Sequence, residues 1–92
     1  MIKTFGCKDT EKLFRDKRVP RFQSIEWQAR KKLLYIHAAE SLEVIGAFSG
    51  NRLEGLKGDR KGQYSIRINQ QWRVCFKWKD GDAPNVEIVD YH

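Results

Sequence analysis

Hydrophobic residues change their spacing once along this chain, near Gly46. Before it, Ile25, Ala29, Leu33 and Ile36 recur four, four and three residues apart, and Trp27 and Leu34 widen the stripe. That is the period of an amphipathic helix. The spacing predicts a helix over 25–40, capped at its start by Ser24, with Arg30, Lys31 and Lys32 turned outward and a further half-turn taking in Leu42, Val44 and Ile45. A shorter helix is expected at 9–14, ended by Lys17-Arg18 and by Pro20, because proline disfavours helix in the residue before it. Ile2 and Phe5 make residues 1–6 a candidate strand.

After Gly46 the period becomes two. Glycines at 46, 50, 55, 58 and 62 punctuate a loop-rich stretch with one short strand expected within 51–56. Tyr64, Ile66 and Ile68 then alternate with polar residues, as do Trp72, Val74, Phe76 and Trp78, and only Gln70 and Gln71 separate the two runs. They should pair as an antiparallel hairpin. Asp80-Gly81-Asp82 makes the next turn, and 86–91 is the last strand. The expected architecture is α+β, with two N-terminal helices packed on one face of a small antiparallel β-sheet. The apolar set of the hairpin faces the helices, Trp27, Trp72 and Trp78 belong to the core, and Ser65, Arg67, Asn69, Arg73 and Lys77 share the opposite, cationic face. The last strand is ambiguous: Val86, Ile88 and Asp90 point one way, Glu87, Val89 and Tyr91 the other.

Ninety-two residues make one domain, 1–92, with a single small core. Cys7 and Cys75 have neither CxxC nor metal-ligand spacing and are read as reduced thiols of a cytoplasmic protein. No stretch approaches the roughly 18 apolar residues of a membrane span, and the start lacks the apolar run of a signal peptide. Eighteen Lys and Arg against twelve Asp and Glu leave a formal charge of +6. The surplus sits in two blocks, 1–32 and 52–79, which a folded domain can merge into a face suited to phosphate backbones.

The end of the chain carries the most pointed chemistry. Asp90, Tyr91 and His92 set an acid, a phenol and an imidazole side by side. Cutting RNA without a metal uses the substrate's 2′-hydroxyl as nucleophile, so a protein must remove that proton, stabilise charge on phosphorus and protonate the departing 5′-oxygen. His92 is the candidate general acid, Glu54 or Asp90 the candidate base. Arg73 is suited to the phosphate, because a guanidinium donates two parallel hydrogen bonds where an ammonium acts as a point charge. Tyr91 can stack on a base or donate a hydrogen bond. Each has a plainer reading: His92 as a solvated tail, Arg73 as an outward strand charge, Glu54 as an ion-pair partner of Arg52 or Lys57, and His37 and Cys75 as structural residues.

The stretch from Arg52 to Phe76, with Leu56-Lys57-Gly58-Asp59-Arg60, Ser65-Ile66 and Trp72-Arg73, resembles HigB toxins of the RelE/ParE superfamily. So do the closing Val86–His92 and the opening Met1-Ile2-Lys3-Thr4-Phe5. The resemblance covers essentially the whole chain. It implies a RelE-like fold and a type II toxin that cleaves messenger RNA on the translating ribosome without a metal or other cofactor, neutralised by a HigA-like helix-turn-helix antitoxin. It further implies that Asp90, Tyr91 and His92 form the catalytic group with Arg73, and that Lys57, with Arg60 and Arg67, holds the RNA. One position departs from the pattern: Glu54 stands where well-known members have a histidine. Two other readings stay open, a non-catalytic ParE-like poison of DNA gyrase and a basic RNA- or ribosome-binding module.

Overall fold

Alternation over residues 64–76 builds the centre of the molecule. In the computed structural model, which describes residues 1–90, β2 (Tyr64–Arg67) and β3 (Trp72–Phe76) pair antiparallel, with Tyr64 opposite Phe76 and Arg67 opposite Arg73. Asn69 tightens the link: its Oδ1 accepts from the backbone N–H groups of Gln71 and Trp72, both at 2.8 Å, as turn-forming asparagines do. β1 (Glu54–Gly55) and β4 (Glu87–Asp90) flank the hairpin, so the antiparallel sheet runs in the order β1-β2-β3-β4.

One face of this sheet carries the core. Ile66, Val74, Phe76 and Ile88 are buried there with Leu13 of α1 (Lys8–Phe14), Ala29, Leu33 and Ile36 of α2 (Glu26–Ala38), and Ile45 of α3 (Leu42–Ala47). The α+β expectation holds, with three α-helices among the described residues where two were expected. The backbone turns extended at Ala39, ending α2, and Ser41 restarts a helix by accepting the Val44 N–H on its hydroxyl at 3.3 Å.

Three details of the helical reading are corrected. Ser24 does not cap α2. Pro20 opens a 3₁₀ helix over Pro20–Ile25 that contains Ser24, and Ile25 occupies the cap position without a side-chain bond. Trp27 and Leu34 are not core: they stand 88% and 57% exposed, because a small sheet accepts only the narrow stripe Ala29, Leu33 and Ile36. Lys32 is not simply outward, since its ammonium hydrogen-bonds the buried side chain of Asn51.

Residues 1–6 form isolated bridges rather than the continuous strand expected, running parallel to 83–86, with Lys3 N–H on the Ala83 carbonyl at 3.0 Å and Gly6 N–H on that of Val86 at 2.9 Å. Farther along the same edge, the buried Thr10 hydroxyl accepts the Ile88 N–H at 2.9 Å. The outer edge of β4 is thereby covered, as an exposed strand edge must be. His37 is structural: its Nδ1 accepts the Ile2 N–H at 3.2 Å and its ring lies 5.2 Å from that of Phe14.

Candidate functional site

Directly paired residues of a sheet point to the same side. The register therefore lines up Glu54, Ser65, Cys75 and Glu87 in one row across all four strands, on the face the helices leave uncovered, with Arg67, Arg73 and Val89 in the next row. The face is cationic as expected, but two carboxylates belong to it.

Arg73 is held at its centre. Its Nε donates to Ser65 Oγ at 2.8 Å, its Nη2 to the Arg52 carbonyl at 2.7 Å, and Nη2 lies 3.7 Å from Glu54 Oε1. The side chain is 11% exposed and that of Glu54 49%, so an oriented guanidinium meets a solvent-reachable carboxylate. Arg52 takes part through its backbone, which adopts the left-handed conformation at φ 47°. Such a φ is uncommon for a residue with a side chain, and it accompanies a carbonyl directed at Arg73.

Two hollows adjoin at this contact. Arg52, Arg67, Asn69, Gln70 and Arg73 line one of about 220 Å³, with three guanidinium groups and no acid. Glu54, Gly55, Leu56, Lys57, Asp59 and Arg60 line the other, of about 450 Å³. Gly58 sits at φ 65°, a conformation in which glycine carries no side-chain penalty, which accounts for a glycine straight after Lys57. The loop then crosses the sheet: Arg60 Nη1 donates to Glu87 Oε1 at 2.8 Å and to Gln63 Oε1 at 3.1 Å. The bond to Glu87 raises the already high pKa of the Arg60 guanidinium.

Cys75 lies buried in the row between these ion pairs. Burial pushes its thiol up, Glu87 and Glu54 add to the rise, and Arg60 and Arg73 oppose it. Since the thiolate is the reactive form, iodoacetamide on the native protein is expected to label the partly exposed Cys7 and to spare Cys75 until denaturant is added, as read by peptide mass spectrometry. Rapid native labelling of Cys75 would contradict this packing.

The candidate residues are thus divided. Arg73, Glu54, Arg67, Lys57 and Arg60 share the helix-free face. Asp90 does not point with them: it pairs opposite Trp72, on the side of Ile88, and its Oδ2 accepts from Gln71 Nε2 at 3.2 Å. Tyr91 and His92 lie outside the described residues. Arg52 and Glu87 were missed. Period two alone puts Glu87 on the face of Val89, but no sequence signal brings Arg60 over to it, and Arg52 acts through a backbone atom. Among the described residues no group of three or more His, Cys, Asp or Glu is placed to hold a metal ion, and no helix is long and apolar enough to cross a membrane.

Known proteins share both sequence and fold with this chain. Toxin HigB-1 of Vibrio cholerae is 38% identical over 90 residues, 96% of this chain and 95% of that protein. Endoribonuclease HigB of Proteus vulgaris is 44% identical over 59 residues, 62% of this chain and 64% of that protein. In fold, a YafQ mutant from E. coli superposes with a TM-score of 0.61 at 14% identity, covering 98% of this chain and 91% of that one. A YoeB–YefM toxin–antitoxin heterotetramer from Staphylococcus aureus gives 0.59 at 24% identity, covering 100% and 95%. The HigB-like toxin family, described as RelE-like toxin of type II toxin-antitoxin system HigB, matches residues 3–92. The chain belongs to this family of type II toxins, whose systems pair each toxin with an antitoxin.

Proposed function

We propose that this chain is a ribosome-dependent endoribonuclease that cuts messenger RNA through the substrate's own 2′-hydroxyl, and that a helix-turn-helix antitoxin neutralises it. One arrangement carries the reading: the Arg73 guanidinium, oriented by Ser65 and the Arg52 carbonyl, stands between a three-arginine hollow and the carboxylate of Glu54. The name endoribonuclease on a relative 44% identical over 59 residues supports it.

In this reading Glu54 accepts the 2′-hydroxyl proton and the freed oxygen attacks phosphorus. Arg73 stabilises the charge that develops on the phosphate oxygens. His92 donates a proton to the leaving 5′-oxygen, so the products are a 2′,3′-cyclic phosphate and a 5′-hydroxyl. Lys57, Arg60 and Arg67 hold the backbone on either side, and Tyr91 stacks on a neighbouring base. Glu54 is preferred to Asp90 as base because it shares the face of Arg73.

Incubation with translating ribosomes should yield message fragments bearing those two ends. A 2′-deoxy nucleotide at the cut should block the reaction, and His92→Ala should leave messages intact while still sedimenting with ribosomes. No cleavage at any codon, together with full toxicity of His92→Ala, would replace the nuclease by a poison that only binds.

A further inference from the structure

Asn51, the neighbour of Arg52, is a fully buried polar side chain that the reaction does not use. Its Nδ2 donates to the Ile45 carbonyl at 3.0 Å, its Oδ1 accepts from the Lys32 ammonium, and its backbone N–H donates to the Phe48 carbonyl at 2.9 Å. Ile45 lies in the last turn of α3, where a helix leaves its carbonyls without intrahelical partners, so the amide closes that end. An amide suits both side-chain partners at once. A carboxylate would face the Ile45 carbonyl without a proton to offer, and an apolar side chain would leave both that carbonyl and the ammonium unmet.

The residue that follows is strained. Arg52 adopts φ 47° and ψ 55°, and Leu53 beyond it packs against the core. Among the described residues the other non-glycine positions with positive φ are Asp16, Asp80 and Asn85, types whose short polar side chains tolerate the left-handed region. Arginine is not such a type, so the conformation persists only where its surroundings over-determine it. Asn51 fixes the chain on one side and Leu53 on the other, and the Arg52 carbonyl between them is the one that accepts from Arg73 Nη2 at 2.7 Å. Lys32 completes the brace from α2. Its ammonium lies 5.6 Å from the Tyr35 ring and makes no ion pair among the described residues. Burial above all, and then Lys31, lower the pKa of that ammonium, so the Asn51 oxygen is the acceptor that holds the charge in place.

We propose that Asn51, braced by Lys32, is a positioning residue for Arg73: it holds Arg52 in its left-handed turn, and the Arg52 carbonyl in turn sets the guanidinium plane that meets the phosphate. This proposal rests on the nuclease reading above and extends the site to two residues that touch no substrate in it. The connection runs from α2 through one buried amide and one backbone carbonyl to the centre of the helix-free face.

Single-turnover cleavage on programmed ribosomes tests it, beside an NMR measurement that needs no activity. Asn51→Ala should slow cleavage on the order of 10- to 100-fold, the scale of a misplaced catalytic group, and Lys32→Met roughly three- to tenfold, with sedimentation on ribosomes unchanged. In an Arg73→Ala background Asn51→Ala should cost less than about twofold, because the group it positions is gone. In an Arg52→Asn background, whose side chain tolerates the left-handed turn, it should cost less than about threefold. The Arg73 Nε–H resonance, identified by its absence from Arg73→Ala, should exchange with deuterium at least about tenfold faster in Asn51→Ala than in wild type. Should Asn51→Ala not melt cooperatively, Lys32→Met, which keeps the amide and its bond to Ile45, carries the same comparisons. Losses that multiply in the Arg73→Ala background would overturn the proposal, as would Nε–H exchange at the wild-type rate or a Lys32→Met defect confined to ribosome binding. Wild-type protein that cuts no message while Asn51→Ala still loosens the Nε–H would sink the nuclease and leave the brace standing.

Discussion

Arg73→Ala is expected to slow message cleavage by about 100- to 1,000-fold, the range seen when a preorganised donor to a developing oxyanion is removed. The size follows from the way the group is held. Ser65 Oγ, at 2.8 Å, and the Arg52 carbonyl, at 2.7 Å, fix the guanidinium plane before substrate arrives, so no reorganisation is needed during the reaction. Arg73→Lys should recover little of the rate, because an ammonium cannot reproduce a planar, bidentate donor. Ser65→Ala keeps the charge but loosens its orientation, and an intermediate rate is expected. Single-turnover cleavage on programmed ribosomes, with each variant shown to melt cooperatively, measures all three. A rate for Arg73→Ala within threefold of wild type would make the residue a tie between Arg52 and Ser65 and nothing more.

The hairpin was legible because its alternation answers to one physical demand, a buried face against a polar one. Register then decided what alternation left open. Val86–Tyr91 read equally well either way up, and only the pairing of Val74 with Ile88 and of Arg73 with Val89 assigns Glu87 to the face of Arg73 and Asp90 to the other. The site was partly legible for the same reason. Arg73 and Arg67 follow from period two, but the partner of Glu54 does not: nearness in sequence pointed to Arg52 or Lys57, whereas the fold supplies Arg73 from two strands away. The family motif contains residues whose physical reason appears only in three dimensions. Gly58 follows Lys57 because the chain turns left-handed there, and Arg60 follows because it spans the face to Glu87.

Phe22→Ala and Trp27→Ala, five residues apart, are expected to differ in cost by several kcal/mol. The helical spacing places Trp27 in the core stripe and leaves Phe22 outside the expected helix. Phe22, however, lies in the 3₁₀ segment Pro20–Ile25, where the tighter turn directs it inward: it is fully buried and meets Trp72 edge-on, ring centres 5.5 Å apart. Its truncation removes apolar contact and leaves a cavity, at a cost of about 3–5 kcal/mol. That is a large share of the roughly 5–15 kcal/mol that stabilises a small domain, and it should lower the melting temperature by more than about 12 °C. Trp27, at 88% exposure, has almost nothing to lose, and its change to alanine should stay within about 0.5 kcal/mol. Because Trp72 precedes Arg73 on β3, the Phe22 cavity should also slow cleavage below the melting transition, which Trp27→Ala should not. Thermal and urea denaturation of the isolated toxin, followed by circular dichroism, compares the two. Equal costs would mean that α2 is rotated about its axis from the orientation described, which would return Trp27 to the core.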